Sequence, residues 1–579
     1  MTELFEITDP HDHRLATGAT GPLAALNEAG LLTAGDIRTA ETVCRLGGEP
    51  SDEVALAVAL LVRAARHGSV CLDLREVPHL LPDHDWPDPR AWLAAIAASP
   101  LTGVALRVEG QALVYLHRYW ADEGAVVDDL RDRTGRAAPP VDESRLAAAL
   151  ERLFPPAYAE QRVAAADSAR RWTSVITGGP GTGKTTTLSR LLAVLADQAT
   201  GAPLRIALAA PTGKAAARMS QALAAAVARD DFPEADRAAV SGLTASTLHR
   251  LLGFRPDNHS RFRHHRGNRL PHDVVVVDET SMVSLPMMAR LVEAIRPDAR
   301  LVLLGDADQL ASVEAGAVLH DVVAGFAEAR HGSTPVSRLQ TSHRFGVEIG
   351  ALAAAVRDGD AEEAWGLLAT GSSRIELIDP ADVARIREVA LPGAQALRAA
   401  ALIGDHAAAL AALSGHRLLC AHREGAFGLR HWNEQITAWL REAEGLDWLP
   451  ARYPGQPLLQ TSNDYGLKLW NGDTGVVLAG EEKRAIFDDG GAGRLLSLAR
   501  LSDVEVAHAL TVHRSQGSEF GEVTVVLPEP DSRLLTRQLL YTAVTRAIDV
   551  VRVVGTEESV KEAVRRQAAR ASGLAARLG

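Results

Sequence analysis

The stretch Gly178-Gly179-Pro180-Gly181-Thr182-Gly183-Lys184-Thr185 stands between a short apolar run at 174–177 and a helical pattern that begins near Thr185. A strand, a glycine loop, a Lys-Thr pair and a helix in that order make a P-loop. Its glycines let backbone N–H groups converge on phosphates, and the helix N-terminus adds partial positive charge. Lys184 is expected to reach the β- and γ-phosphates and Thr185 to ligate Mg²⁺, with Thr186 next in the same pocket. An ordinary glycine-rich turn requires neither the preceding strand nor the Lys-Thr pair. The fold class that follows is α/β, with ATP and Mg²⁺ as cofactors.

The matching second half is Val274-Val275-Val276-Val277-Asp278-Glu279. Four valines predict a strand buried on both faces that delivers two carboxylates at its tip. Asp278 is expected to hold Mg²⁺ through water, and Glu279 to orient or deprotonate the attacking water. A third run, 301–304, leads into Gly305-Asp306-Ala307-Asp308-Gln309. A glutamine at that strand end can sense the γ-phosphate and help position the water.

Outward from these motifs, apolar runs at 174–177, 204–209, 274–277 and 301–304 alternate with helical stretches. Such βα alternation predicts a parallel sheet with its sites at the strands' C-terminal ends. After about 336 a second set appears, at 418–420, 523–527 and 550–554. Between them, 457–503 breaks into β-like pieces punctuated by Asn471-Gly472-Asp473 and Asp488-Asp489-Gly490-Gly491, the mark of a small β-rich insertion. Residues 1–140 are rich in Ala and Leu, mainly helical with one strand near 70–74, and hold no catalytic-looking cluster. Pro139 and Pro140 punctuate a linker at 134–144. The expected division is an N-terminal domain at 1–140, a first lobe at 141–335 and a second lobe at 336–579 that carries the insertion.

The 579 residues carry a net charge of −12, so a general positive field cannot hold nucleic acid and any contact must be local. Lys occurs only at 184, 214, 468, 483 and 561, leaving 56 of 61 basic residues as Arg. Where Lys nevertheless stands, a compact ammonium is called for. Cys44, Cys71 and Cys420 are far apart and form no CxxC pair, which excludes a disulfide framework or zinc site and fits a reducing cytoplasm. The longest apolar run, 54–62, stops at Arg63, short of the ~18 residues a membrane span needs. The acidic, polar start, 1–13, is no signal peptide.

These motifs, taken in order, resemble superfamily-one helicases and most closely the RecD subunits of RecBCD helicase–nucleases, over about 155–555. Gln161 looks like that family's adenine-reading glutamine. Pro211-Thr212-Gly213-Lys214-Ala215-Ala216 and Ser246-Thr247-Leu248-His249 resemble its first-lobe DNA motifs, and the run 511–520, from Thr511 through His513 and Ser515, its second-lobe DNA motif. Arg344 in Ser342-His343-Arg344 and Arg546 in Tyr541-Thr542-Ala543-Val544-Thr545-Arg546-Ala547 resemble its second-lobe arginines. The resemblance implies two RecA-like lobes, an SH3-like fold for 457–503, 5′→3′ movement, single-stranded DNA at duplex ends as substrate, and RecB-like and RecC-like partners in a heterotrimer.

Elementary chemistry supports these roles. An arginine supplied from another lobe stabilises charge spread over the γ-phosphate and accelerates transfer by roughly 10³ to 10⁵. Hydroxyl, ammonium and imidazole donors at Thr212, Lys214, Thr247, His249, Thr511, His513 and Ser515 can grip phosphate oxygens without reading sequence. The basic run 261–266, with Arg269, is either a solvated face or a DNA-backbone contact. Glu481-Glu482-Lys483 has nuclease-like spacing but no accompanying metal-binding aspartate, so no nuclease is expected on this chain. The plain N-terminal domain reads as an interaction module, or else as a support for the core. A stand-alone helicase and a nucleotide-switched regulatory subunit are the alternatives to a motor within a complex.

Overall fold

The computed structural model describes residues 9, 11–255, 258–328, 334–342, 346–447, 449–489, 491–568 and 570–579. At the N-terminus, β1 (Cys71–Asp73), β2 (Leu106–Glu109) and β3 (Leu113–Leu116) form an antiparallel sheet in the order β1-β3-β2. Helices Ala34–Gly47 and Asp52–Arg66 close a core around Leu26, Leu60, Trp92 and Ile96. The hairpin β2–β3 was not anticipated from sequence. Its strands are only four residues long and turn at Gly110 with φ +60°, so little periodicity exists to read.

Six strands build the next sheet: β4 (Thr173–Gly178), β5 (Ile206–Ala210), β6 (Ala245–Thr247), β9 (Val274–Val277), β10 (Arg300–Gly305) and β11 (Val336–Leu339). A small antiparallel hairpin, β7 (Phe254–Arg255) and β8 (Asn258–Phe262), leaves this sheet between β6 and β9. The order is β11-β4-β10-β9-β5-β6 with every pair parallel, so all six C-terminal ends share one edge. Both faces are covered. Helices His117–Gly135, Leu285–Ala294 and Val318–Glu328 pack on one, and Glu143–Leu153, Ala159–Ala169, Lys184–Gln198 and Gly213–Ala228 on the other. The valines of β9 are wholly buried, as two-faced coverage demands. β11 pairs with β4, so 336–339 completes the first sheet instead of opening the second lobe.

The second sheet contains β12 (Ile375–Ile378) and β13 (His416–Cys420), then, after the insertion strands β14 (Pro457–Gln460), β15 (Thr474–Val477), β16 (Arg484–Phe487), β17 (Arg494–Ser497) and β18 (Val504–Val506), closes with β19 (Ala509–Thr511), β20 (Phe520–Val526) and β21 (Ala547–Val554). Its order is β12-β21-β20-β13-β19, again all parallel. The insertion is an antiparallel five-stranded sheet in the order β17-β16-β15-β14-β18 around Leu458, Val477 and Phe487. It extends to Val506, past the expected bound at 503. The last residues do not stay with the second lobe. Helix Leu574–Leu578 packs on Val318–Glu328 of the first, where Gly325 leaves room for the Ala575 carbonyl.

Candidate nucleotide site and strand groove

The parallel order places the turns after β4, β10 and β9 side by side. The glycine loop follows β4, with Gly181 and Gly183 at φ +79° and +83°, a region side-chain-bearing residues avoid. A Cβ on Gly178 would lie 2.7 Å from the Leu339 carbonyl, so this position too admits only glycine. Lys184 opens the following helix and folds its Nζ back to the carbonyls of Gly178 (2.6 Å) and Gly179 (3.0 Å), inside the loop expected to hold phosphates. Thr182 is buried, and Thr185 and Thr186 sit half-buried in the first helical turn. Gln161 is buried and donates from Nε2 to the Thr182 carbonyl at 3.0 Å, fastening its own helix to the loop. Pro180 accepts a bond from Ser342 Oγ at 3.0 Å; Arg344 lies outside the described residues.

At the tip of β9, Glu279 adopts φ +50°, a left-handed conformation rare outside glycine. Its N–H donates to Asp278 Oδ1 at 2.8 Å. Burial, and then the neighbouring Glu279, push the Asp278 carboxyl up to about 6. After β10, burial raises Asp306 to about 6 as well, and its Oδ2 accepts from both Gln309 Nε2 (3.0 Å) and Tyr541 Oη (3.1 Å). Gln309 is buried in this cluster.

The second lobe reaches in directly. Thr542 Oγ1 accepts from the Leu310 N–H at 2.9 Å, and Gln516 Nε2 donates to the Leu310 carbonyl at 2.8 Å, so both backbone groups of one residue are held by the opposite lobe. Arg546 is buried, bonded to the carbonyls of Thr542 (3.1 Å) and Ser518 (3.3 Å), and lies in the fields of Glu279 and Asp306. Arg218, on Gly213–Ala228, crosses the other way to the Gly517 carbonyl at 2.5 Å and to Glu519. A cavity of about 600 Å³ lies between the lobes, lined by Gly178, Gly179, Pro180, Asp308, Arg357 and Tyr541 among others. Of these residues, Tyr541, Thr542 and Gln516 lie inside the motifs at 541–547 and 511–520, whereas Arg218 and Arg357 lie outside any motif.

The donor set fits a magnesium nucleotide. Hydroxyl and carboxylate oxygens at Thr185 and Asp278 suit a hard cation that keeps waters and phosphates among its ligands. Among the described residues no group of three or more His, Cys, Asp or Glu is arranged to hold a metal by itself. A site completed by phosphate oxygens needs no such cage.

Four of the seven strand-contact candidates, Thr212, Lys214, His249 and His513, line a second cavity of about 450 Å³ together with Glu314 and Gly472 among others, whereas Thr247, Thr511 and Ser515 lie outside its lining. Thr212, Thr247 and Thr511 share one geometry: each ends a strand or its loop, and its Oγ1 accepts the N–H three residues on, at 3.2, 3.2 and 3.4 Å. A hydroxyl that accepts a capping N–H keeps its own proton for an outside acceptor. His249 packs edge-on to Phe254 and Phe262 (5.8 Å each), and burial lowers its basicity. Phe262 is buried whereas Arg261, Arg263 and Arg266 are exposed, so the basic run is a hairpin that anchors by its aromatic and shows its arginines to solvent. Arg269 instead donates to the Ile295 carbonyl at 2.5 Å.

Two candidates behave differently from expectation. Ser515 is fully buried and its Oγ donates to the Val512 carbonyl at 2.8 Å, so it caps a turn and offers nothing to a strand. Lys214 donates to the Gly472 carbonyl of the insertion at 3.0 Å, and burial brings its ammonium down to about 8.

Two parallel-sheet lobes sharing a P-loop cleft, with a second cavity lined from both, define the class: a two-lobed P-loop motor ATPase. Family models agree in detail: an AAA domain matches 161–315, a UvrD-like helicase C-terminal domain 506–554, and the N-terminal domain of RecBCD enzyme subunit RecD 28–115. RecBCD enzyme subunit RecD of Mycolicibacterium smegmatis is 55% identical over 562 residues, covering 95% of this chain and 98% of that protein. Its counterpart in Mycobacterium tuberculosis is 53% identical over 578 residues, covering 98% of each. The ATP-dependent RecD2 DNA helicase of Deinococcus radiodurans is 36% identical over 405 residues, 68% of this chain and 48% of that protein. The chain belongs to the RecD family.

Proposed function

We propose that this chain is an ATP-dependent DNA helicase that works as the RecD subunit of a RecBCD-type assembly, in the unwinding and degradation of duplex ends during recombinational break repair. The observation that carries the motor reading is the capture of Leu310 by Thr542 and Gln516. Leu310 follows the sensor Gln309, so what happens at the γ-phosphate is felt at once by the lobe that bears Arg546 and the second half of the strand groove. Lys184 and the loop amides hold the phosphates, and Asp278 and Thr185 hold Mg²⁺, which neutralises phosphate charge when bound. Glu279 takes the proton of the attacking water. Arg546, with Arg344, meets the charge on the transferring group and draws the lobes together. Thr212, Thr247, Thr511, Lys214, His249 and His513 hold the strand. Gln161, beside the loop, is placed for the adenine base, and movement is 5′→3′.

The N-terminal residues matched by the RecD N-terminal model support docking to RecB-like and RecC-like subunits. Among the described residues no helix is long and apolar enough to cross a membrane, in keeping with work in the cytoplasm. The test is ATP turnover with and without oligo(dT), followed by unwinding of duplexes with a 5′ or a 3′ tail, using Lys184→Gln as the control. Stimulated turnover and unwinding of 5′-tailed duplex alone are expected, with Lys184→Gln nearly inactive in both. Turnover indifferent to DNA in the chain and in its co-purified assembly favours a nucleotide switch instead.

A further inference from the structure

The loop that senses nucleotide continues into the strand groove. Beyond Gln309 and Leu310, Ser312, Val313 and Glu314 line the 450 Å³ cavity opposite His249 and His513, and Gly316, at φ +102°, turns the chain into the next helix. One cation organises this stretch from behind. Arg570 Nη1 donates to the Ser312 carbonyl at 2.6 Å, with the carbonyls of Glu314 and Gly316 at 3.3 and 3.4 Å. Three alternate carbonyls of one loop thus turn toward a single guanidinium nitrogen, a charge-assisted arrangement centred on the bond to Ser312.

Arg570 comes from the other lobe's side of the chain. Just before it, Arg566 bonds the carbonyls of Ser532 (2.5 Å) and Pro530 (3.0 Å), and the Ala568 N–H donates to Gln538 Oε1 at 2.9 Å, all on the second lobe. Just after it, Ala571 exchanges bonds with Ser69 and Val70 of the N-terminal domain at 3.1 and 3.0 Å. Ser572 and Gly573 then bond the fully buried Glu123 at 3.0 and 3.1 Å. The tail is therefore pinned to the second lobe up to 568 and to the first lobe's surroundings from 571, and Arg570 lies on the short span between. A movement of one lobe against the other therefore bears on Arg570.

We propose that Arg570 is a positioning residue for DNA-coupled ATP hydrolysis: the C-terminal tail is a strap through which second-lobe movement sets the groove loop 312–316, and through it the sensor Gln309. Arg570 itself lines neither cavity and meets the groove only from behind, through the backbone carbonyls of Ser312 and Glu314, so its effect is exerted through the loop. The inference rests on the motor reading above.

The test compares Arg570→Ala, Arg570→Gln and Arg570→Lys in the full chain for ATP turnover without DNA, turnover at saturating oligo(dT), and thermal midpoint. Arg570→Ala is expected to keep DNA-free turnover within about twofold of wild type and to lose DNA stimulation by about tenfold, the scale of one charge-assisted hydrogen bond. Arg570→Lys, which keeps a charged donor, is expected to recover most of the stimulation. Arg570→Gln, which keeps volume and one donor, falls between and guards against a poorly folded alanine variant. Wild-type stimulation in Arg570→Ala and Arg570→Gln overturns the proposal. So does an equal loss of basal and stimulated turnover with a lowered midpoint, which is what a merely structural contact gives. A wild-type chain that shows no DNA stimulation overturns the motor reading itself, and is told apart because no variant is needed to see it.

Discussion

Glu279 holds a left-handed backbone at φ +50°, a conformation that costs a side-chain-bearing residue about 1 kcal/mol or more. That strain accompanies the turn of the Glu279 N–H back onto Asp278 Oδ1 at the strand tip. In the proposed function Asp278 serves the metal and Glu279 the water, and Arg546 of the second lobe lies in the field of Glu279. Glu279→Gln preserves the backbone conformation and the side-chain volume but removes the base. It is expected to bind ATP with little change and to hydrolyse it about 10² to 10⁴ times more slowly, the usual contribution of a positioned general base. Equilibrium nucleotide binding beside single-turnover hydrolysis checks this. Lost binding with wild-type hydrolysis of what does bind would remove Glu279 from the role.

At the scale of elements, the insertion is docked on the first lobe by a turn, 470–473, that rides over the start of helix Gly213–Ala228. A Cβ on Gly213 would stand 2.4 Å from Trp470 Cγ, and the Lys214 ammonium bonds Gly472 beside it. Gly213→Ala must therefore displace the indole, with an expected cost of about 1–3 kcal/mol for overpacking. The loss should appear as a lower thermal midpoint and faster proteolysis within 457–506, and Trp470→Ala should suppress it in the double variant. Persistence of the defect without the indole would trace it to the helix alone. This contact also shows which parts of the molecule were legible in advance. Strands β4, β9 and β10 could be read because both faces are buried, leaving unbroken apolar runs flanked by glycine and acid. β6 and β19 were missed although each ends on a site threonine, because three residues such as Ala509–Thr511 carry no period and owe their pairing to the neighbouring strand. β11 was assigned to the wrong lobe since only pairing decides membership of a sheet. The loop residues of the nucleotide site were legible because phosphate binding constrains local spacing. Burial of Ser515 and the partner of Lys214 were not, since each depends on what folds over it from outside the motif.

Across the whole molecule, the most strongly shifted histidines of the second lobe and the carboxylates of the nucleotide site respond to acid in opposite directions. In the second, His416 bonds Thr524 Oγ1 at 2.9 Å and His508 bonds Tyr453 Oη at 2.6 Å, and burial pushes both imidazoles down to about 3. A base whose folded value lies below its unfolded one adds stability that is complete above about 6.5 and drains away as pH falls toward 3. At pH 5 each histidine has then forfeited on the order of 2 kcal/mol. In the first lobe, Asp278 and Asp306 are raised to about 6, so keeping them ionised costs stability at neutral pH. That cost shrinks as they take up protons on acidification. Acidification from 7.5 to 5, without nucleotide or Mg²⁺, should accordingly loosen the second lobe while sparing the first. Amide exchange, corrected for its intrinsic pH dependence, is expected to show protection falling in β13, β19 and β20 while β4, β9 and β10 hold. Loss in the reverse order would mean that the buried histidines of the second lobe do not set the acid limit of the motor.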